Sequence, residues 1–369
     1  MNHFGRRLRI TLFGESHGPA IGAVLDGVPA GMPVNLDAVQ RRMDQRRPGT
    51  GPLVSARNEP DVPEILSGVF EGRATGAPLA FIIRNQDTRS KDYDALRSTP
   101  RPGHSDLVAN AWARGFNDPR GGGHHSGRLT ACLVAAAALL APLLDRCGVT
   151  VGAHLHQVHN DAGPVDSLHA QAMNDGAASS PVHTAHHELE ERFVAIIESA
   201  RKAKDSVGGV VEWKTDGVPI ALGDPMMDSV ESLIAHLLFA VPAVKGVSFG
   251  AGFASVGMHG SEHNDPFLMK DGAVRTTSNH AGGILGGRTT GAPLWGHVAI
   301  KPTSSIFLAQ DTVDLESGQD TTLELTGRHD PCIAIRAVPV VRAAVELVLA
   351  DLLLLGMQHG HVGVVDWSS

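Results

Sequence analysis

Several short stretches combine residue types that can move protons or hold anions. "FGESHG", residues 13–18, lines up Glu15, Ser16 and His17 between glycines, so a bendable loop could aim an imidazole at a ligand. "RPGHSD", 101–106, sets His104 on a tight Pro-Gly turn. "PRGGGHHSGR", 119–128, follows three glycines with His124, His125, Ser126 and Arg128. Backbone N–H groups there could approach an anion closely while the arginine supplies charge. "SNHAGGILGG", 278–287, is a second loop of this kind, and "KPTSSI", 301–306, joins Lys301 to three hydroxyl residues suited to phosphate or carbonyl groups. "GRHDPC", 327–332, sets Arg328, His329 and Asp330 ahead of a proline. Taken singly, each also fits a polar turn, or a surface ion pair worth under ~1 kcal/mol.

Other chemistries are disfavoured. His154, His156 and His159 lie on a strand-like piece where i, i+2 spacing puts the first two on one face. No H-E-x-x-H, Cys/His quartet or obvious carboxylate partner accompanies them, so no metal is expected. Three widely spaced cysteines, Cys132, Cys147 and Cys332, form neither a disulfide framework nor a thiolate site. No G-x-G-x-x-G opens a strand-turn-helix unit and no P-loop is present, which disfavours Rossmann-type dinucleotide binding.

The elements that must carry these loops are those of a globular protein. In 369 residues, 42% are apolar and 19% charged, enough for a large core. A net charge of -8 argues against a nucleic-acid partner, although an acidic whole can hold a basic pocket. Glycine is high at 42 residues, which suits a loop-rich enzyme. The N-terminus has no apolar stretch after its charges, and "CLVAAAALLAPLL" and "LVLADLLLLG" look too short or too charged to span a bilayer. A cytoplasmic protein without a membrane partner is expected. Helices are expected from near Asp37 to before Pro48, over 130–146 with Gly148 as stop, over 186–208 (acidic start, basic end), over 228–240, and over 342–356 ending on Gly356. "AIGAVLDGV", "VTVGAHLHQV", "GGVVEWKTDGV" and "WGHVAIKP" read as strands, and residues 160–181 as a surface excursion. "GRATGAPL" at 72–79 returns as "GRTTGAPL" at 287–294, and "DGVP" at 26–29 returns at 216–219. This implies a duplication about a pseudo-twofold axis: one domain, 1–369, with similar halves of roughly 1–150 and 200–369.

"FGESHG", "RRPGT", "DTRSKDY", "RPGHSD", the glycine loop, "AVKGV", "SNHAGGILGG", "KPTSS" and "GRHDPC" occur in one order from residue 13 to residue 332. That ordered set strongly resembles the chorismate synthase family. The resemblance implies an α+β fold, a β-α-β sandwich with central helices between antiparallel sheets and an internal duplication, usually assembled as a homotetramer. It implies a lyase of the shikimate pathway of aromatic amino acid biosynthesis. The reaction is anti 1,4-elimination of phosphate and a proton from 5-enolpyruvylshikimate 3-phosphate to give chorismate, with reduced FMN required but no net redox change. The absence of a recognisable extra domain points to a flavoprotein whose FMN is reduced externally, ultimately by NAD(P)H. An FMN-binding paralogue and an NAD(P)H-dependent flavin reductase of the same fold are the alternatives.

By the same resemblance His17 protonates the departing phosphate, with Ser16 hydrogen-bonding nearby. His104 acts on the flavin, and Asp330 supports transfer of the substrate proton. A phosphate and two carboxylates call for several cations; Arg46, Arg47, Arg120, Arg128 and Arg328 are the candidates. FMN is expected to touch His124, His125, Ser126, Ala243, Gly286, Lys301, Pro302, Thr303, Ser304, Ser305 and Arg328. The chain departs from the family pattern after the glycines, where many members read Arg-Ser-Ser-Ala-Arg-Glu-Thr. It departs again at Pro52, near the place of a common arginine, and at Pro242, where asparagine is common.

Overall fold

The computed structural model describes residues 2–47, 53, 60–86, 96–165, 168–326 and 329–367. Strict burial alternation organises its strands, as in "LAFIIR" at 79–84 and "WGHVAI" at 295–300, where every second side chain is buried. Five strands form a first antiparallel sheet: β1 (His3–Phe4), β2 (Arg9–Gly14), β3 (Ala20–Asp26), β4 (Pro63–Ser67) and β5 (Leu79–Arg84), in the order β1-β2-β3-β5-β4. Five more form a second: β6 (Thr150–Val158), β7 (Asp161–Ala162), β8 (Gly209–Asp216), β9 (Val244–Phe249) and β10 (Trp295–Ile300), in the order β9-β10-β8-β6-β7. All pairings within both sheets are antiparallel. With seven helices longer than one turn among the described residues, the chain is α+β.

The helices are α1 (Leu36–Arg46), α2 (Asp106–Ala113), α3 (Thr130–Arg146), α4 (Ala170–Ser179), α5 (His187–Lys202), α6 (Val230–Phe239) and α7 (Ala334–Gln358). Asn35 accepts from Ala38 N–H and caps α1; Ser229 accepts from Ser232 N–H and caps α6. Helix α3 packs on β3 and against α7, which in turn contacts α1, α6, β6, β8 and β10. Alanines 135–138 of α3 are all buried, a surface small enough for a second helix to approach. Asp351 of α7 accepts the N–H groups of Arg6, Arg7 and Leu8 at 2.9, 2.8 and 2.7 Å, fastening the turn between β1 and β2 to the last helix.

Four expected strands and the helix expected to start near Asp37 occur as read. Helix α7 differs, beginning at Ala334 and passing through Gly356. A Cβ on Gly356 would stand 2.7 Å from Leu222 Cδ2 and 2.8 Å from Val362 Cγ2, so this glycine marks close approach, not a stop. The stretch expected as a surface excursion contains α4, which buries Ala170, Met173 and Ala177. Its Ala170 carbonyl lies so close to Gly152 that a Cβ there would come within 2.2 Å. The run thought too short to span a bilayer also differs: with its leading turn, Gly127–Arg146 is 20 residues, long and apolar enough by length and composition. Its most apolar window is 83% buried within the protein, as for a core helix.

Candidate active site

The glycine loop, the 301–305 segment that follows β10, the end of α6 and the first turns of α7 enclose a cavity of about 920 Å³, within the range of small-ligand sites. Of the expected residues, Arg46, His104, His124, His125, Ser126, Arg128, Ala243, Lys301, Pro302, Thr303, Ser304, Ser305 and Asp330 line it. Lys245 and Arg336 add two further cations, Asp61 a second carboxylate, and Leu133, Ile333, Ala337 and Val340 an apolar wall. Five cationic side chains (Arg46, Arg128, Lys245, Lys301, Arg336) thus face two carboxylates (Asp61, Asp330), in a chain whose net charge is -8. Burial, then neighbouring Lys245, pushes the Lys301 ammonium below its usual value, and its Nζ donates to the Gly103 carbonyl.

His17 and His104 flank the glycine run. Gly121 and Gly122 adopt φ of 59° and 80°, a region open to glycine. A Cβ on Gly121 would meet His17 Cε1 and Nδ1 at 2.4 Å and Ser16 Oγ at 3.0 Å; one on Gly122 would meet His104 Cε1 at 3.0 Å. The glycines therefore do more than bend: they let backbone pass between two imidazoles. Ser16 N–H donates to Gly123 O at 3.1 Å. Ser16 Oγ is enclosed without a hydrogen-bond partner among the described residues. His17 is 7% exposed, and its charge helps hold Asp118 below the usual carboxylate range, after the larger effect of the Arg120 hydrogen bond.

His104 is held through one nitrogen. Its Nδ1 lies 2.6 Å from Asp106 Oδ1 and 3.0 Å from Arg101 Nη2. Arg101 grips Asp106 with Nε and Nη2 at 2.7 and 2.8 Å and donates to Ser305 Oγ at 3.0 Å. Burial opposes ionisation of Asp106, but the Arg101 and His104 hydrogen bonds prevail and carry its pKa well below the usual range. On the opposite wall, Asp330 Oδ2 accepts from Arg336 Nη1 at 3.0 Å and its carbonyl from Thr303 Oγ1 at 2.9 Å. His329 stands beside this group, kept neutral by burial and then by the Arg101 cation.

Buried Asp61 receives Arg128 Nη1 on one oxygen and Arg46 Nη1 at 3.4 Å on the other. Its backbone is left-handed, at φ 48°, a conformation held in place by its surroundings. Burial first, then the Arg336 cation, lowers Arg46 to about 9, so this cluster carries more cation than its one carboxylate offsets. Asn85 links it to the opening loop. Its Nδ2 donates to Glu15 O at 3.0 Å and Gly18 O at 2.8 Å, while its Oδ1 accepts from Arg128 Nε at 3.0 Å.

Some expected residues do not line the cavity, Ser16 and His17 among them, which lie against Gly121. Arg47 pairs with Asp44 one turn away at 3.0 Å, and Arg120 makes a bidentate pair with Asp118 at 2.8 and 2.7 Å. Gly286 is exposed in the turn of the hairpin Ile284–Thr289. Arg328, like most of "RRPGT" and "DTRSKDY", lies outside the described residues. Conversely Arg101, Asp106, Asn85, Asp61 and Arg336 were missed. Arg101 and Asp106 stand inside "RPGHSD", and Arg336 is a lone cation in an otherwise apolar run, the one signal that could have drawn attention to it.

A family model for chorismate synthase matches residues 8–354. The chorismate synthase of Korarchaeum cryptofilum (strain OPF8) is 45% identical over 359 residues, 96% of this chain and 98% of that one. That of Methanocella arvoryzae is 46% identical over 369 residues, 100% and 98% of the two chains. A crystal structure of chorismate synthase matches with a TM-score of 0.76 at 26% identity, over 96% of this chain and 93% of that one. Similarity along nearly its whole length, in sequence and in fold, shows that the chain belongs to the chorismate synthase family.

Proposed function

We propose that this enzyme is a carbon–oxygen lyase that forms chorismate from 5-enolpyruvylshikimate 3-phosphate by anti 1,4-elimination, using reduced FMN supplied by an external, NAD(P)H-driven flavin-reducing system. The observation that carries this reading is the cation-rich, part-apolar cavity lined by His104, with His17 against the neighbouring glycine run. Arg46, Arg128, Arg336 and Lys301 suit a substrate with a phosphate and two carboxylates, since charge-assisted bonds in a buried site are the strong ones. The apolar wall of α7 with the hydroxyls of 303–305 suits a flat cofactor with a polar tail, so these residues fit FMN. Bound reduced flavin would supply electron density as the C–O bond breaks.

The chain's own groups then divide the work. His17, buried against Gly121, delivers a proton to the leaving phosphate, a role suited to imidazole near neutral pH. His104, fixed at Nδ1 by Asp106 and Arg101, presents its other edge towards Gly122. Asp330, tethered by Arg336, serves removal of the substrate proton. Arg47, Arg120 and Gly286 keep their proposed ligand contacts only in a rearranged or assembled enzyme. A homotetramer working in the cytoplasm is part of this reading.

We further propose the internal duplication: one domain with similar halves of roughly 1–150 and 200–369. The strand orders β2-β3-β5-β4 and β6-β8-β10-β9 correspond. "DGVP" leaves β3 and β8 alike, and the repeated octapeptides lead into β5 and β10. Ala74 N–H bonds Met32 O while Thr289 N–H bonds Leu222 O. The central helices α3 and α7 between the sheets complete the sandwich. The decisive experiment is anaerobic turnover with dithionite-reduced FMN. Wild type should release phosphate, and His17→Ala, His104→Ala and Asp330→Ala should each lose at least about 100-fold in kcat. Full rates in all three variants would discard the assignment; NADPH consumption without substrate would mark the reductase instead.

A further inference from the structure

Away from the cavity, polar side chains gather on the second sheet where a sheet face ordinarily buries apolar ones. Strand register sets His154 opposite Glu212 and Glu212 opposite His297. A register shift between Val210 and Val211 makes His156 the extra residue of β6, and bulges of this kind re-aim a side chain. His154, Glu212 and His156 are 0%, 1% and 7% exposed. Three imidazoles converge on one oxygen: His154 Nε2 and His156 Nδ1 each stand 3.3 Å from Glu212 Oε2, and His297 Nε2 stands 4.0 Å away.

The tautomers assign the parts. Ala185 N–H donates to His154 Nδ1 at 3.3 Å, so neutral His154 carries its proton on Nε2 and donates it to Glu212. His154 therefore holds the carboxylate. His156 Nδ1 and His297 Nε2 are enclosed, have no hydrogen-bond partner among the described residues, and face the same oxygen. The 3.3 Å between His156 Nδ1 and Glu212 Oε2 is also the edge of a tetrahedron whose metal–ligand bonds are about 2.0–2.1 Å, and His297 Nε2 stands farther out, at 4.0 Å.

We propose that Glu212, His156 and His297 bind a divalent transition-metal ion of the Zn²⁺ class, with His154 as the residue that orients the carboxylate. Two imidazoles and a carboxylate favour such an ion over Mg²⁺ or Ca²⁺. The ion would clamp β6, β8 and β10 together, and β10 runs directly into Lys301–Ser305 of the cavity. Nothing in this depends on the reaction assigned above.

The test uses the full-length chain without a purification tag, stripped with EDTA and titrated with Co²⁺ alone. Wild type should take up one equivalent with visible d–d absorption, and Zn²⁺ should displace it and raise Tm as a native-state ligand does. His156→Ala and His297→Ala should lose the absorption and the Zn²⁺-dependent rise. His359→Ala with His361→Ala, an exposed pair with rings 6.3 Å apart, should keep both. Should an alanine variant not fold, Glu212→Gln, of the same shape, reads the same loss. No saturable band in wild type, or binding unchanged in His156→Ala, His297→Ala or Glu212→Gln, would overturn the proposal.

Discussion

Asp106 holds His104, and Asn85 holds the loop that carries His17. Asp106 sets the His104 ring, so Asp106→Asn should lower kcat about 10–100-fold and displace the pH–rate profile while leaving the fold intact; stopped-flow rates across pH check both. Asn85→Asp keeps the shape but removes two donors from Glu15 O and Gly18 O. Steady-state assay should show kcat falling at least about tenfold as the opening loop loosens, with a loss of about 1–3 kcal/mol in denaturant midpoint. Gly121→Ala drives a methyl into the His17 ring and should abolish turnover. Residue types at this scale were legible where the chain writes them consecutively, as in "RPGHSD". Asn85 and Asp61 were not, because their role arises only where the chain folds back on Arg128.

Elements were read well where periodicity is clean and poorly where contact decides. β3, β6, β8 and β10 are long, β-branched and bounded by glycine, so their pattern stood out. β2 and β9 were missed: their half-exposed mixtures of charge, hydroxyl and glycine carry little signal. Pro339 lies inside α7 and suggests a later start, and Gly356 an earlier end, yet packing on all sides overrides both. Asp351 of that helix gives a direct test. Asp351→Ala strands the N–H groups of Arg6, Arg7 and Leu8, which should cost about 3 kcal/mol or more in urea unfolding.

For the whole molecule, electrostatics set the direction of pH dependence. Asp106 and Glu212, and Glu346 between Arg42 and Arg342, all ionise below their usual range in the folded state. Burial opposes this in each, and hydrogen bonds and neighbouring cations overcome it. Their unfolded values lie near about 4, so their contribution is present above that pH and is lost as pH falls and the unfolded chain takes up protons. Tm measured from pH 7 down to 3 should drop steadily below about pH 5. "DGVP" follows β3 and β8, and the octapeptides precede β5 and β10, positions that the proposed duplication makes equivalent. The histidine–glutamate cluster was invisible because Glu212 is brought to His154 only by strand pairing.

Helix α7 reaches both sheets' helices and, through Asp351, the turn after the first strand. The ribosome makes it after all of these. Until residues 334–358 emerge from the exit tunnel, the nascent N-terminal half lacks the Asp351 carboxylate that accepts the N–H groups of Arg6–Leu8. The chain must therefore wait, partly open, for this helix before its core can close.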